Sequence, residues 1–468
     1  MSDNLIYHVV DFLLPAQKFN IQFSYVSQKR LPFIREFVLR LVNVAPMSKG
    51  QIATYFGMSK FEADEAISDL EEREELTLSE DGLLILTNKS QDYFSDSGET
   101  PLLSAIEVSG ATICFDLATF SCFGNQTTQD TWKAGLQLKV DDNNTANSEK
   151  LVEKHFQRQF YKILDRGYLP SYINGSKEKP SVYTVNNVTK LRELPLRLHV
   201  EFKMDKNGKA VVREDFKQLN NSETVHEIMA TALSKQIKQD NSREILDAMI
   251  ALEDRPTIKV CNNTEMKIDS LFLAEFNNFE AHEHIERTNV LGPIYATENW
   301  AKFHNILAPI INSRIHAKED FSGNQFIWIA PSDTFWGKST QLIQALGAFL
   351  NRAQTKEKIL YTPTLYVPIG GIDDKQGIRA WGRELKQQDS IRGIKEGFLG
   401  GNVEILYLEN ALISVIYHIS KPDTLPVTMP LGFISTDADT VKHIGWIVHK
   451  YIKGYSSHDK PNDCGKIV

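Results

Sequence analysis

The sequence predicts an α/β multidomain protein, and three observations lead to this fold class. Between residues 326 and 437, apolar runs of strand length alternate with a segment of helical spacing, which is typical of a largely buried sheet. Residues 31–94 carry the cap and turn signals of a small helical unit. The 468 residues are enough for about two to four domains. We predict boundaries that give 1–94, 102–255 and 256–468.

The composition is that of a folded protein with an acidic surface. The chain is 42% hydrophobic and 24% charged, with a net charge of −8, which excludes a protein whose whole surface binds nucleic acid. The four cysteines show no C-x-x-C spacing, so a reducing compartment is expected. The first apolar run is interrupted by Asp11 and Pro15, unlike a secretory signal. A cytoplasmic protein with no membrane partner, cofactor or metal is therefore predicted.

Residues 31–94 predict three helices followed by a hairpin. Ser48 with Gln51, and Ser59 with Glu62, have the spacing of capping boxes that open the second and third helices. Gly57 can end the second helix in the left-handed conformation, and a turn is expected at residues 80–82. The first helix has one apolar stripe, made of Ile34, Phe37, Val38, Leu41 and Val42.

This order of elements resembles a winged helix-turn-helix, which implies DNA binding through the third helix. The charges oppose that function, because residues 60–75 hold two basic and eight acidic side chains and would repel phosphates. A module that contacts a protein is therefore favoured over a DNA-binding regulator. A separate basic face around the first helix is offered by Lys29, Arg30, Arg35 and Arg40.

Residues 102–255 predict an α+β domain. The strand at 196–202 alternates, so Arg197, His199 and Glu201 are expected on a solvated face. A helical stretch over 223–253, interrupted near Asp240, is followed by a predicted strand at 257–261.

Two further patterns predict local structure without chemistry. The segment 332–340 ends in G-K-S, as a phosphate-binding loop does, but the bulky Phe335 and Trp336 favour an ordinary strand-to-helix turn. His282 and His284 are spaced too closely for joint ligation on a helix. A solvated polar segment is favoured over a metal site there.

The C-terminal half resembles phospholipase D-like domains, which cleave phosphodiesters with an H-x-K motif and a following small polar residue. His418 and Lys421 end one predicted strand, with H-x-x-K spacing, and Ser435 lies on the next strand. His316 and Lys318 have the H-x-K spacing itself. The resemblance implies a histidine as nucleophile and acid/base group, with the lysines as phosphate ligands.

Three functions remain open from the sequence, of which a DNA-binding regulator is the least favoured. The resemblance implies a component of a bacterial nucleic-acid-processing or anti-phage defence system, whose degenerate phosphodiesterase-like domain binds nucleic-acid phosphates, with or without turnover. The alternative is a non-enzymatic adaptor that docks a partner protein through the acidic helical unit. Nucleic acid and protein are thus both candidate partners, and homo-oligomer assembly stays open.

Overall fold

The structure, a computed structural model, describes residues 5–94, 102–124, 134–175, 179–205, 208–211, 215–236, 239–261, 286–385, 389–454 and 460–467. The α-helices in these ranges are α1 (Phe33–Val44), α2 (Lys49–Phe56), α3 (Lys60–Glu72), α4 (Asn88–Gln91), α5 (Asp142–Ala146), α6 (Ser148–Asp165), α7 (Ser222–Ser234), α8 (Ser242–Ala251), α9 (Arg255–Val260), α10 (Thr297–His316), α11 (Gln341–Asn351), α12 (Lys375–Leu385) and α13 (Ala438–Lys453). None of the helices in the described ranges has the length and apolar character needed to cross a bilayer.

The strands are β1 (Leu5–Arg30), β2 (Leu76–Leu78), β3 (Leu84–Leu86), β4 (Leu102–Asp116), β5 (Cys122–Gly124), β6 (Leu136–Gln137), β7 (Ser181–Met204), β8 (Arg287–Leu291), β9 (Gln325–Ile329), β10 (Thr362–Ile369), β11 (Ile391–Lys395), β12 (Val403–Leu408), β13 (Leu412–Ile419), β14 (Met429–Ser435) and β15 (Asp463–Lys466). The prediction of a mixed α/β chain is confirmed.

The chain separates into two compact units, each built from non-consecutive segments. The sheet unit comprises residues 1–15, 127–141 and 195–468, and the helical unit comprises 16–126 and 142–194. Strand β1 contributes its first residues to the sheet unit and the rest to the helical unit. The predicted boundaries at 94, 102 and 255 stay predictions.

An eight-stranded sheet forms the centre of the sheet unit, in the order β15-β11-β10-β9-β12-β13-β14-β8. Strands β9, β10 and β11 are parallel, whereas β12, β13, β14 and β8 follow as antiparallel neighbours. Every residue of β12, β13 and β14 is buried. These strands are covered on both faces, which explains their continuous apolar runs.

Aromatic side chains fill the core of this unit. Trp328 of β9 and Phe349 of α11 pack edge to face, with ring centroids 5.5 Å apart. Phe303 of α10 and Tyr361 belong to the same buried cluster. Burying each of these large side chains stabilises the fold by about 1.5–3 kcal/mol.

The helical unit pairs residues 16–30 of β1 with β4 in antiparallel register, from Ala16 opposite Asp116 onward. Its helices α1 to α3 and the hairpin β2–β3 occur where the sequence predicts them. Ser48 and Ser59 both form complete capping boxes. Gly57 ends α2 with φ 65°, and Gly82 turns the hairpin with φ 75°.

Three local predictions differ from the structure. Residues 257–261, predicted as a strand, lie mostly in α9, because Asp254 caps a helix that has Pro256 in its first turn. The sequence of residues 1–28 predicts strands or a short helix, whereas the described part of that segment belongs to one continuous strand, Leu5–Arg30. Arg197, predicted on a solvated face, is only 13% exposed because it bonds to the buried Asp11, whereas His199 is exposed as predicted and bonds to the other oxygen of that carboxylate.

Candidate functional site

A buried network of charged and polar side chains lies at the end of β9 in the sheet unit. His418, on β13, contacts two carboxylates at once: its Nδ1 lies 2.8 Å from Asp333 Oδ2, and its Nε2 lies 3.3 Å from Glu404 Oε2. The His418 side chain is only 1% exposed, and the two carboxylates are 3% and 0% exposed. The imidazole is thus enclosed by protein on both sides.

Four neighbouring groups fix the two carboxylates. The indole Nε1 groups of Trp328 and Trp336 both donate to Glu404 Oε1 at 2.8 Å. The Thr428 hydroxyl donates to Asp333 Oδ2 at 2.6 Å, and the backbone N–H of Phe335 donates to Asp333 Oδ1 at 3.1 Å. Each carboxylate is therefore fully engaged, as buried ionised groups require.

The network holds His418 in its charged form. Burial opposes the charge, but the hydrogen bonds and charges of Asp333 and Glu404 outweigh it and raise the pKa of His418 to about 9. Burial also opposes ionisation of Asp333, yet bonding to His418 lowers the pKa of that carboxyl to about 2. At neutral pH, His418 is an imidazolium between carboxylates. An imidazolium has no free lone pair and cannot act as a nucleophile.

A second buried histidine, His8, lies near this network and is neutral, whereas His418 is charged. Burial lowers the pKa of His8 to about 4, with the charge of Asp333 opposing the change and that of His418 adding to it. Its Nδ1 lies 3.2 Å from the Val9 carbonyl. His8 is therefore neutral at physiological pH.

Ser435, another residue of the predicted phosphodiesterase site, lies far from His418 along the sheet. Ser435 pairs with Ile413, whereas His418 pairs with Pro430, so the two candidates are five ladder positions apart, roughly 17 Å. The Ser435 hydroxyl donates to the Glu286 carbonyl. Lys421 follows the end of β13.

His316 and Lys318 lie at the other end of β9. His316 is the last residue of α10, and both side chains are exposed. Arg314 fixes that helix end by donating to the carbonyls of Leu360 and Glu409, next to the first residue of β9. The five predicted catalytic residues are not gathered in one place, so a single site made of all five has no support in this geometry.

The loop that resembles a phosphate-binding loop already holds an anion from the chain itself. The Asp11 carboxylate accepts a hydrogen bond from the Thr340 backbone N–H at the start of α11, at 2.9 Å. The Asp11 backbone N–H donates to the Lys338 carbonyl, and the Lys338 amine pairs with Glu384. Asp11 thus occupies the helix N-terminus where a phosphate would bind, which agrees with the predicted strand-to-helix turn.

The glycine-rich segment before β12 closes the same edge of the sheet. The backbone N–H of Ser332 donates to the Gly401 carbonyl at 2.7 Å, and Asn241, just before α8, donates to the His418 carbonyl at 2.9 Å. In α/β folds, ligands usually bind at the carboxyl ends of the strands, at the point where the strand order reverses. Here the protein's own side chains fill it.

Sequence reasoning missed Asp333 and Glu404 as members of the network. The signal was present for Glu404, a lone charge within the apolar run VEILYL, because buried carboxylates are rare unless they are paired. Asp333 gave no comparable signal, since aspartate is common in loops. Within the described ranges, no group of three His, Cys, Asp or Glu side chains could hold a metal ion, and His282 and His284 lie outside those ranges.

Comparison with known proteins gives no further indication of function. No protein-family model, curated protein or solved structure matches this chain.

Proposed function

We propose that this chain is a non-enzymatic adaptor that binds a basic segment of a partner protein through the surface of α3. The observation that carries the proposal is an exposed stripe on that helix, formed by Phe61, Glu65, Ser68 and Glu72. These residues are spaced to lie on one side of a helix. We call this set the acidic–aromatic stripe.

The stripe combines apolar and negative surface. Phe61 is 75% exposed, and Tyr55, across the turn at Gly57, is 69% exposed. Aromatic side chains are enriched in protein interfaces and depleted from ordinary surface. The flanking carboxylates of Glu65 and Glu72 favour lysine or arginine on the partner.

Four basic side chains around the helices α1 to α3 are paired with carboxylates. Arg35 forms a bidentate pair with the buried Glu75, which also accepts from the Tyr93 hydroxyl. Arg40 pairs with Glu36, Lys49 with Glu71 and Arg73 with Asp69. The basic face predicted around the first helix therefore loses the charge of Arg35, which is bound to Glu75, and this weakens the case for DNA binding by a winged helix.

Nucleic-acid processing by residues 256–468 stays an expectation from the resemblance to phospholipase D-like domains. The enclosed, protonated state of His418 does not support turnover there. The adaptor function accounts for the exposed aromatic side chains and the paired cations together.

Two labelled probes test the proposal by fluorescence anisotropy: an amphipathic helical peptide of leucine and lysine, and a short DNA duplex. The peptide should bind and the duplex should not. Phe61→Ser should weaken peptide binding by about tenfold or more, as loss of an aromatic anchor does. Ile372→Ser, which changes a side chain that is 72% exposed in the sheet unit, is the matched control and should leave binding unchanged.

Charge reversal on the acidic–aromatic stripe provides a second test of the proposal. Glu65→Lys with Glu72→Lys should remove peptide binding, because the stripe would then repel the lysines of the peptide. Tight binding of the duplex that weakens steeply with salt, with no binding of the peptide, would replace the adaptor with a nucleic-acid-binding function.

A further inference from the structure

A cavity of about 840 Å³ lies in the sheet unit, between residues 199–203 of β7, helix α7 and the start of β1. This volume falls in the range of small-molecule sites, about 300–1,000 Å³. The cavity shares no residue with the acidic–aromatic stripe or the His418 network. It therefore needs an explanation of its own.

Rings form much of the cavity wall. Phe216 stacks on His226, with ring centroids 4.9 Å apart and planes 24° from parallel. Tyr7 and Phe202 form a second pair, with centroids 6.3 Å apart. Met229, a side chain that adapts its shape to aromatic ligands, also lines the cavity. A flat aromatic molecule can stack against such walls.

One polar group in the wall has no partner. The Tyr7 hydroxyl is buried and makes no hydrogen bond to any part of the chain that the structure describes, and the residue is 1% exposed. Burial raises the pKa of Tyr7 well above its ordinary value, so the hydroxyl keeps its proton. A buried donor without an acceptor is costly, and an acceptor on a ligand would remove that cost.

The charged side chains at the cavity are largely balanced. Glu201 pairs with Lys203 at 3.0 Å, and His199 pairs with Asp11 at 2.8 Å. Asp215 is open to solvent. Among the described residues that line the cavity, no unopposed charge lies deep in the wall, and this balance favours an uncharged ligand over an ionic one.

We propose that the cavity binds a flat, uncharged aromatic heterocycle whose ring acceptor receives the hydrogen bond of the Tyr7 hydroxyl. The aromatic rings of the wall select a flat ligand, and the Tyr7 hydroxyl fixes the orientation of that ligand.

Quinoline and naphthalene test this proposal as a matched pair, because they differ in one ring nitrogen. Binding to the full chain is followed by ligand-observed NMR at pH 7.5. Tyr7→Phe should weaken quinoline binding by about three- to tenfold, the usual value of one hydrogen bond. The same change should leave naphthalene binding unchanged or tighter. Equal effects on both probes would overturn the role of the hydroxyl.

A substitution that fills the cavity with a larger side chain provides the second test. Ala230 lines the cavity from α7, so Ala230→Trp should abolish quinoline binding. Thr231→Trp, on the next residue, which is also exposed and is not part of the lining, is the matched control. No saturable quinoline binding to the wild type, or binding that persists in a folded Ala230→Trp variant, would refute the site. If Ala230→Trp does not fold, the Tyr7→Phe comparison decides.

Discussion

Replacement of His418 by glutamine should remove a pH-dependent part of the stability of the sheet unit. The imidazolium of His418 bonds to Asp333 and Glu404 in a buried site, so the folded state holds that proton more tightly than the unfolded state does. His418→Gln retains an amide that can hydrogen-bond but cannot take up the proton.

The magnitude follows from the pKa of His418. It rises from 6.5 to about 9 on folding, and each tenfold change in proton affinity corresponds to about 1.4 kcal/mol, which gives about 3 kcal/mol. Because the folded pKa is raised, this stabilisation is complete below pH 6.5 and is lost as pH rises through about 9. The free-energy difference between wild type and His418→Gln should therefore shrink by about 3 kcal/mol between pH 6 and pH 10.

Urea unfolding followed by tryptophan fluorescence measures this difference, because all six tryptophans lie in segments of the sheet unit. Groups common to both proteins cancel in the comparison. His449→Gln is the control: His449 lies beside Glu409 and is 29% exposed, so its difference from wild type should vary by less than about 1 kcal/mol. A His418→Gln difference that is constant from pH 6 to pH 10 would refute the charged imidazole.

Three further changes are expected to alter stability. Glu75→Ala should cost about 3 kcal/mol in urea unfolding followed by circular dichroism, because it removes a buried carboxylate and leaves the partly buried Arg35 without its partner; a cost below about 1 kcal/mol would contradict the pairing. Gly432→Ala should cost about 3 kcal/mol or prevent folding, since its Cβ would lie 1.8 Å from the Val415 carbonyl oxygen; a variant as stable as wild type would show that β13 and β14 are less closely apposed. His8→Phe should gain about 3 kcal/mol relative to wild type as pH falls from 6.5 through about 4. The reason is that the lowered pKa of His8 makes wild type lose stability in that window, and a pH-independent difference in urea midpoints would exclude a buried neutral histidine.

Local signals made much of the fold predictable. The capping boxes at Ser48 and Ser59 are decided by residues three positions apart, and both form as expected. The apolar runs of β12 and β13 are also a local signal. They predicted buried strands because a strand that is covered on both faces consists of consecutive apolar residues. The strand predicted at 257–261 was wrong because the cap at Asp254 outweighed the β-branched composition.

The candidate site depends on contacts between residues that are far apart in the sequence, and no local pattern predicts such contacts. Asp333 and His418 are 85 positions apart, and Asp11 reaches Thr340 across 329. Strand periodicity gave the face of each residue but not its partner. A motif at the end of a strand can therefore predict a histidine of chemical importance while missing that two carboxylates already surround it.

The bond between Asp11 and Thr340 has a consequence for synthesis of the chain. Asp11 is synthesised before its hydrogen-bond donor, the backbone N–H of Thr340, which follows 329 residues later. At about 5–20 residues per second, the N-terminal strand waits roughly 15–65 s for that partner. During this time its apolar side chains, among them Val10 and Phe12, lack the neighbours that are synthesised later in the chain. A chaperone that holds nascent chains would therefore find exposed apolar side chains in this strand.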